Sequence, residues 1–386
     1  MMENYTHVIV GGPRLNEENI IYRRRRLLEY LAKKQTASAV YWVYFKPGPI
    51  YKIGKLSYPK LPKKYEKYPY NKIKQIEISD FKFLLSFITF FQSFLVGKIL
   101  NEFKGEGKKI LWFTLHRFAK LSEIDIWSNL IYDCSDNWTN KDEKGLMKKI
   151  LDYITSKSEK RIVRNTRIHT ASAPFLKNKI ELMSSRECYL IEHGYNPTMF
   201  DDLIKPAVEN DNNKFCFIGG LQGNKVDSEL LLSIAKSRPE WEFWIIGPFP
   251  AEKNKDSTYK QLEKLENVYL KGPVAPDLIP MQLRTMNVGL LPYKNTEFAK
   301  GVFPLKFYEY LAANLNVVGC NLSSLRKYAN NGVYMESSDR VDEFIEKCEI
   351  ALKTDPPSEL IKESLKHATW EKRFDEMYSK ATEELN

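Results

Sequence analysis

The chain has 386 residues, of which 43% are hydrophobic and 13% aromatic, and this predicts a globular protein with two cores. Its five cysteines are scattered, odd in number and without a CxxC pair, so the sequence indicates neither a disulfide framework nor a zinc site. The formal net charge of +10 indicates an anionic partner, and both anionic lipid headgroups and nucleic acid fit it.

The N-terminal segment is predicted to form a strand, HVIVGG, that ends in Gly11 and Gly12. It lacks an apolar run of signal-peptide length, so we expect a cytoplasmic, reduced protein. A helix from about Glu17 to Lys34 follows and contains an unbroken arginine run, Arg23–Arg26. The next strand is predicted at ASAVYWVYF.

A basic, irregular stretch comes next, with many lysines between Lys52 and Lys74. The following segment, FLLSFITFFQSFLVG (83–97), carries no charge but is shorter than the roughly 20 residues that span a bilayer. It fits either a helix lying on a membrane or a buried core helix, and the adjacent lysines favour the membrane. The residues predicted to contact a membrane, or an acceptor substrate held at its surface, are Gly11, Gly12, Arg24, Arg25, Lys63 and Lys64.

Strands and helices alternate through the rest of the first half. Strands are predicted at KKILWFTL, NLIYDCSD, RIHTASA and CYLIEHGYNP, and helices at 143–163 and 174–184. This alternation is typical of a parallel sheet with helices on both faces. The sequence therefore predicts a doubly wound, Rossmann-like domain over residues 1–200.

The same pattern restarts after a polar linker, 196–212. It predicts a second Rossmann-like domain over 201–365, in which Gly219 and Gly220 follow the first strand. Glycines at this point allow phosphate or sugar to approach the backbone closely. The predicted strands are FCFIGG, WEFWIIGP, NVYLKGPV, NVGLLPY and NVVGC, and the predicted helices are 227–238, 277–285 and one beginning near Pro304.

The stretch FPLKFYEYLAANLNVVGC (303–320) predicts a nucleotide site at the start of that last helix. Pro304 suits a first helical turn, and Lys306 and Glu309 are neighbours on one helical face. A lysine at a helix N-terminus can hold a diphosphate, and a carboxylate one turn on can accept both hydrogen bonds of a ribose diol. An amphipathic core helix with an exposed Lys–Glu pair is the alternative.

These motifs, in this order, resemble the family 4 type of nucleotide-sugar glycosyltransferases. The resemblance rests on FIGGLQGNKVDSELLLSIAKSRPEWEFWIIGP, NVYLKGPVAPDLIPMQLRTMNVGLLPY and FPLKFYEYLAANLNVVGCNLSSLRKY. LIYDCSDNW and ASAPFLKNKI resemble the branch that includes teichuronic acid glycosyltransferases, and the final HATWEKRFDEMY resembles the helix that crosses back to the first domain. The resemblance implies the α/β GT-B fold: two Rossmann-like domains facing across a cleft, with C-terminal helix 366–386 packing on the first.

The resemblance also implies a set of donor-binding residues. Glu309 would bind the ribose hydroxyls and Lys306 would approach the diphosphate. Lys225 stands where the family often has a second phosphate-binding cation. Gly219 and Gly220 would lie beside the phosphates. The remaining donor-binding residues are Gly272 and Val274 near the base, Phe303, Pro304 and Leu305 in the floor of the site, and Tyr293 at the end of NVGLLPY.

One position departs from the family pattern. Many family members have a second Glu eight positions before the ribose-binding Glu, near the transferred sugar, and Gly301 stands there in this chain. Glu297 and Lys300 are close by but lack the right spacing. The departure leaves the mode of sugar recognition and the stereochemistry of transfer open.

The candidate catalytic residues are Asp136, Asp133 and His193. The two aspartates follow the strand NLIYDCSD, and ligands of doubly wound sheets bind at the carboxyl ends of strands. We expect Asp136 to act as the general base and Asp133 to be structural, although both could simply cap the following turn. His193 could contact donor or acceptor, or be a structural turn residue, and His116 is a weaker candidate of the same type.

The predicted function is that of a metal-independent hexosyltransferase without a cofactor. It would move a sugar from a nucleotide-sugar, with UDP the commonest nucleotide in such enzymes, to a glycan or lipid-linked acceptor in cell-surface polysaccharide biosynthesis. It would be peripheral at the inner face of an anionic membrane, with no nucleic-acid partner. An inactive partner subunit, suggested by Gly301, and a basic nucleic-acid-binding protein are the alternatives.

Overall fold

Two parallel β-sheets with accompanying helices form the fold. The computed structural model describes residues 4–12, 15, 23–46, 72–79, 103, 107–139, 145–201, 213–221, 225–249, 257–383 and 385. These residues divide into two units: the first extends to Glu192 and resumes at Phe374, and the second runs from His193 to Arg373.

The sheet of the first unit consists of parallel strands. They are β1 (Tyr5–Val10), β2 (Ala37–Lys46), β3 (Ile73–Ser79), β4 (Lys108–Phe113), β5 (Asn129–Cys134), β6 (Ile168–Ala171) and β7 (Cys188–Leu190). Their order is β3-β2-β1-β4-β5-β6-β7, and every neighbouring pair is parallel. Continuous apolar runs such as VIV and ILWF are typical of such a sheet, because both of its faces are covered.

In the described part of the first unit, three helices follow strands in the chain. They are α1 (Arg23–Lys33), α2 (Leu146–Asn165) and α3 (Pro174–Ser184). Helix α3 confirms the helix predicted at 174–184: Pro174 opens it, and Ser185 ends it in the left-handed conformation, with φ of 54°. The apolar segment 83–97, Lys63 and Lys64 lie outside the described residues.

The prediction of an irregular basic stretch after β2 is wrong for residues 73–79. Ile73–Ser79 forms β3 at the edge of the sheet and pairs with Val40 to Lys46 of β2. From residue 75 to residue 79 its sequence, QIEIS, alternates polar and apolar residues, as strands with one covered face do. The high density of lysines around the segment conceals this short alternation.

The second unit contains another parallel sheet. Its strands are β8 (Lys214–Ile218), β9 (Glu242–Ile246), β10 (Val268–Gly272), β11 (Val288–Pro292), β12 (Asn316–Cys320) and β13 (Met335–Ser337). They lie in the order β10-β9-β8-β11-β12-β13, which places the topological switch between β8 and β11. The first unit has its switch between β1 and β4. This is the doubly wound architecture predicted from the sequence, with ligand crevices expected at the strand carboxyl ends. Among the described strands of the second unit, β13, three residues long, is the one that was not predicted.

The helices of the second unit alternate with these strands. They are α4 (Ser228–Ser237), α5 (Ser257–Leu262), α6 (Ile279–Leu283), α7 (Glu297–Lys300), α8 (Lys306–Ala312), α9 (Arg326–Asn330), α10 (Val341–Lys353), α11 (Ser358–Lys366) and α12 (Trp370–Glu383). No helix among the described residues combines the length and apolar composition needed to cross a membrane.

Helix α12 begins in the second unit and ends in the first. Within the first unit, the ring of Phe374 lies 5.5 Å from that of Tyr30 on α1, and Asp375 accepts a hydrogen bond from Lys34 at 2.7 Å. Further along, Asn129 at the start of β5 donates to the carbonyl of Ala381 at 2.8 Å. These contacts fasten the last three turns of the chain to the first sheet.

We expect Phe374→Ala to lower the free energy of unfolding of the first unit by about 3–5 kcal/mol, the usual effect of truncating a buried phenylalanine. Phe374 is 1% exposed, whereas Glu376 on the same helix is exposed and provides the control. Glu376→Ala should change the value by less than about 0.5 kcal/mol. Urea unfolding followed by circular dichroism measures both, and equal values for the two variants would contradict the packing role.

Candidate active site

Three glycines join the carboxyl ends of β8, β9 and β10. The N–H of Gly219 donates to the carbonyl of Ile246 at 2.9 Å, and the N–H of Gly247 donates to that of Gly272 at 2.9 Å. Gly247 has φ of +150°, and a Cβ there would lie 2.1 Å from the carbonyl oxygen of Gly219. The turn after β9 therefore needs glycine at 247, because a side chain there would displace the Gly219–Gly220 turn.

Helix α8 carries the predicted lysine–glutamate pair. Its first residue is Lys306, two after the predicted start at Pro304, and Leu305 already has helical dihedral angles. The Lys306 Nζ lies 2.6 Å from the Glu309 Oε2, with the side chains 27% and 21% exposed. Such a pair contributes only about 0.3–0.5 kcal/mol, so a ligand that takes both groups displaces it at little cost.

A buried tyrosine ties α8 to β8. The N–H of Ile218 donates to the Tyr310 hydroxyl at 2.8 Å, and Gly289 on β11 makes room for the ring, since a Cβ there would lie 2.4 Å from it. Burial raises the pKa of Tyr310 well above its ordinary value, so the phenol stays neutral. This link fixes Lys306 and Glu309 relative to Gly219, one residue beyond Ile218.

The predicted floor residues lie directly before α8. Phe303 and Pro304 are buried, and Leu305 is half-buried. The Phe303 ring lies 5.3 Å from that of Tyr308 and 6.1 Å from that of His193. The structure thus brings His193 next to the predicted donor floor, within the second unit.

Lys225 and Tyr293 meet at the carboxyl end of β11. The N–H of Lys294 donates to the carbonyl of Lys225 at 3.0 Å, and Val226 forms a β-bridge with Tyr293. The Lys225 Nζ lies 4.4 Å from the centre of the Phe298 ring on α7. Burial raises the pKa of Tyr293 to about 12, so its phenol is uncharged. The lysine is therefore placed at the edge of the second sheet that holds the Gly219 turn.

Two further positions named from the sequence are Val274 and Gly301. Val274 is half-buried and packs against the same apolar cluster as Phe303. Gly301 directly follows α7, and on that helix Glu297 forms an ion pair with Lys300. The carboxylate of Glu297 is thus already matched by a cation of its own helix.

In the first unit, Asp133 is a buried structural brace. Its carboxylate accepts hydrogen bonds from the Arg23 Nε at 2.8 Å and Nη2 at 3.0 Å, and from the Thr170 hydroxyl at 2.7 Å. The Arg23 Nη1 donates to the carbonyl of Glu192 at 2.8 Å. These contacts fit the structural role predicted for Asp133 and account for one arginine of the predicted basic run.

Asp136 lies three residues further on and is only half-buried. The residue after it, Asn137, is buried and accepts a hydrogen bond from the Lys179 Nζ at 3.2 Å. The same amine lies 2.8 Å from the carboxylate of Glu159, which is fully buried. The Lys179–Glu159 ion pair supports the loop after β5 through the hydrogen bond from Lys179 to Asn137. Sequence reasoning did not find the pair, because Glu159 lies on α2 and Lys179 on α3.

Burial makes His116 a poor base. Burial first, then the charges of Arg117 and Lys179, lower the pKa of His116 to about 3. Its ring lies 5.3 Å from that of Trp138. The imidazole is neutral at neutral pH and has little affinity for a proton, so His116 is a poor candidate for the general base.

The residues predicted for the acceptor or membrane differ in exposure. A Cβ on Gly11 would lie 2.4 Å from the Trp42 ring, and one on Gly12 would lie 2.8 Å from the half-buried Arg24 guanidinium. Arg25, by contrast, is 2% exposed, with its Nε 3.6 Å from Glu29. This burial argues against a contact between Arg25 and a membrane.

Within the described ranges, no cluster of three or more His, Cys, Asp or Glu side chains could hold a metal ion.

Residues 212–354 match the family model for group 1 glycosyl transferases. A Bacillus subtilis protein, TuaH, assigned to teichuronic acid biosynthesis as a glycosyltransferase, is 29% identical over 372 residues, covering 91% of this chain and 89% of TuaH.

Solved structures share the fold at low sequence identity. Sucrose-phosphate synthase from Thermosynechococcus elongatus matches with a TM-score of 0.70 and 14% identity, over 99% of each chain. Anabaena HepE, solved in complex with UDP and glucose, matches with a TM-score of 0.66 and 12% identity, over 98% of this chain and 99% of HepE.

Gly247→Ala should perturb the contact between the turn after β9 and the Gly219–Gly220 turn. We expect a loss of about 2–4 kcal/mol in unfolding free energy, because the substitution adds a clash with the Gly219 carbonyl to a strained φ. The matched control is Gly332→Ala, where φ is +74° and nothing lies within 4 Å of the added Cβ. That variant has only the backbone strain, about 1 kcal/mol. Thermal unfolding compares them, and an equal loss would show that the Gly219 contact is unimportant.

Proposed function

Because the chain is a glycosyltransferase with the GT-B fold, we propose that it transfers a sugar from a UDP-sugar to a hydroxyl of a glycan or lipid-linked acceptor during cell-surface polysaccharide biosynthesis. The observation that carries the proposal is the Lys306–Glu309 pair, held by Tyr310 to the strand that ends at Gly219. The likeness to TuaH supports the polysaccharide, and the UDP bound by HepE supports the nucleotide.

The donor would separate the lysine from the glutamate. The Lys306 ammonium would take the diphosphate, and the Glu309 carboxylate would accept hydrogen bonds from the ribose diol. Gly219 would let the phosphates approach the backbone closely. It would not donate its N–H to them, because that N–H already donates to the carbonyl of Ile246. Lys225 would supply a second cation near the phosphates. These positive charges would stabilise the leaving diphosphate without a metal ion or cofactor.

The transfer itself would need a base for the acceptor hydroxyl. Asp136 would take the proton as the acceptor oxygen bonds to the anomeric carbon, while the bond from that carbon to the diphosphate oxygen breaks. Asp133 would act only as a positioning residue, through Arg23. His193, beside Phe303, would contact the donor sugar or the acceptor.

We also propose that the protein works at the inner face of the cell membrane, where a lipid-linked acceptor would be found. Arg24, which lies against Gly12 just after β1, would bind an anionic group of that acceptor. Lys63 and Lys64 remain proposed contacts with the membrane or acceptor, whereas the burial of Arg25 does not favour such a contact.

A thermal-shift panel tests the donor site. Saturating UDP, GDP, dTDP and their sugars are added to wild type, Glu309→Ala and Glu359→Ala. Glu359 also pairs with a lysine three residues away, Lys362, but this pair is largely exposed and lies on α11. We expect one nucleotide to stabilise wild type and the control by about 2–3 kcal/mol at a hundredfold excess over its dissociation constant, and Glu309→Ala not to respond. No shift with any nucleotide would favour the inactive-partner alternative.

A second pair of variants tests the base. Asp136→Asn should lower kcat by about 10²–10⁴ and leave donor binding and stability unchanged. Asp133→Asn should instead lower the unfolding free energy by about 3–5 kcal/mol, because it leaves the Arg23 charge buried without its partner. Asp125→Asn, at an exposed position, is the control. Radiolabelled sugar transfer and thermal unfolding separate the effects, and full activity of Asp136→Asn would require another base.

A further inference from the structure

Helix α2 in the first unit exposes apolar side chains along one face. Leu146, Ile150 and Tyr153 are 78%, 46% and 59% exposed, and Lys157 continues the same line at positions spaced by three and four residues. The buried apolar residues of this helix lie near its C-terminal end, at Ile162 and Val163. Its first two turns therefore present an apolar surface away from the core.

The same face is positively charged. Lys149, Lys157, Lys160 and Arg164 are all exposed on it, and of these the Lys157 Nζ lies 4.7 Å from the centre of the Tyr153 ring. The two acidic residues of α2 do not offset these charges. One of them, Asp152, pairs with Lys148 at 2.5 Å, and the other, Glu159, is buried against Lys179.

A groove beside α2 has the same mixed character. It has a volume of about 710 Å³ and lies between α2 and α3. Lys160 and Arg164 line it on α2, and Phe175, Leu182 and Met183 line it on α3. Leu182 is 87% exposed, the highest value among the exposed large apolar residues of the described chain.

We propose that this surface, formed by the outer face of α2 and by Leu182, docks the protein on a bilayer containing anionic lipids. Its charge is complementary to anionic headgroups. Leucine and isoleucine would enter the acyl boundary, the tyrosine ring would lie at headgroup level, and lysine and arginine would reach the phosphates with their long side chains. The centre of a protein–protein interface is, by contrast, usually depleted of lysine. The inference rests on the proposed membrane location and adds the surface that makes the contact.

Vesicle co-sedimentation of the full chain tests the surface. The vesicles contain either phosphatidylcholine alone or equal parts of phosphatidylcholine and phosphatidylglycerol. Wild type should bind the anionic vesicles, and binding should weaken as salt is added. One variant reverses the charge of Lys149, Lys157, Lys160 and Arg164 to Glu. Since each basic residue near an anionic surface changes the partition coefficient by about fivefold, we expect the coefficient to fall by at least about tenfold.

Two further variants make the test specific. The charge-matched control reverses Lys236, Lys260, Lys264 and Lys353, which are exposed on the second unit, and it should bind like wild type. Replacing Leu146, Ile150, Tyr153 and Leu182 by Ser keeps the charge and should also lower binding. A melting temperature close to that of wild type shows that each variant is folded.

The possible results each decide the proposal. Absence of wild-type binding, equal loss in the charge-matched control, or no loss in either surface variant overturns it. A wild-type dimer that the serine variant disperses would show that a second copy of the chain covers the face. Nucleotide-induced stabilisation of the charge-reversed variant is measured in parallel. If it persists while lipid binding is lost, the surface is separate from the donor site, and failure of the docking proposal leaves the donor-site proposal standing.

Discussion

The hydrogen bond from the Ile218 N–H to the buried Tyr310 hydroxyl determines the geometry of the second unit's candidate site. It joins the last residue of β8 to the middle of α8, and it requires Gly289 beneath the ring. A buried amide left without its acceptor destabilises a protein by about 1–3 kcal/mol, so strand and helix cannot separate freely. The weak Lys306–Glu309 pair is therefore held in place by packing around it, and its own attraction contributes little to the position of either group.

In the first unit, a buried ion pair holds the end of a strand in place. Asp133 at the end of β5 and Arg23 at the start of α1 are both buried, a situation that is unfavourable unless every charged group is hydrogen-bonded. The Thr170 hydroxyl donates to the carboxylate and the carbonyl of Glu192 accepts from the guanidinium, so β5, β6 and the segment after β7 converge on one buried ion pair. The loop that carries Asp136 therefore begins at a fixed strand end. A fixed position is what the proposed general base needs.

Local sequence patterns predicted most strands, the doubly wound class and the Lys306–Glu309 neighbours, because each depends on spacing within a few residues. What they missed depends on distant contacts. Four adjacent arginines look like an exposed patch, yet the partners of Arg23 are 110 and 169 residues away in the chain. The glycine in WEFWIIGP looks like an ordinary turn, and only the fold places the Gly219 carbonyl against it. Strand β3 was hidden because its one lysine, Lys74, continues the run of lysines that precedes it in the sequence.

Basic side chains in the described part of the chain differ in the free energy needed to free each one from its present partner for a ligand. Three classes can be distinguished. Arg23, fully bonded in the interior, is unavailable to any ligand without about 3–5 kcal/mol of destabilisation. Lys306 is matched by a partly exposed carboxylate and can be released for less than about 1 kcal/mol. The cations on the outer face of α2 are exposed and need no release. A basic composition alone therefore says little about anion binding, since only the second and third classes can bind a nucleotide or a lipid surface.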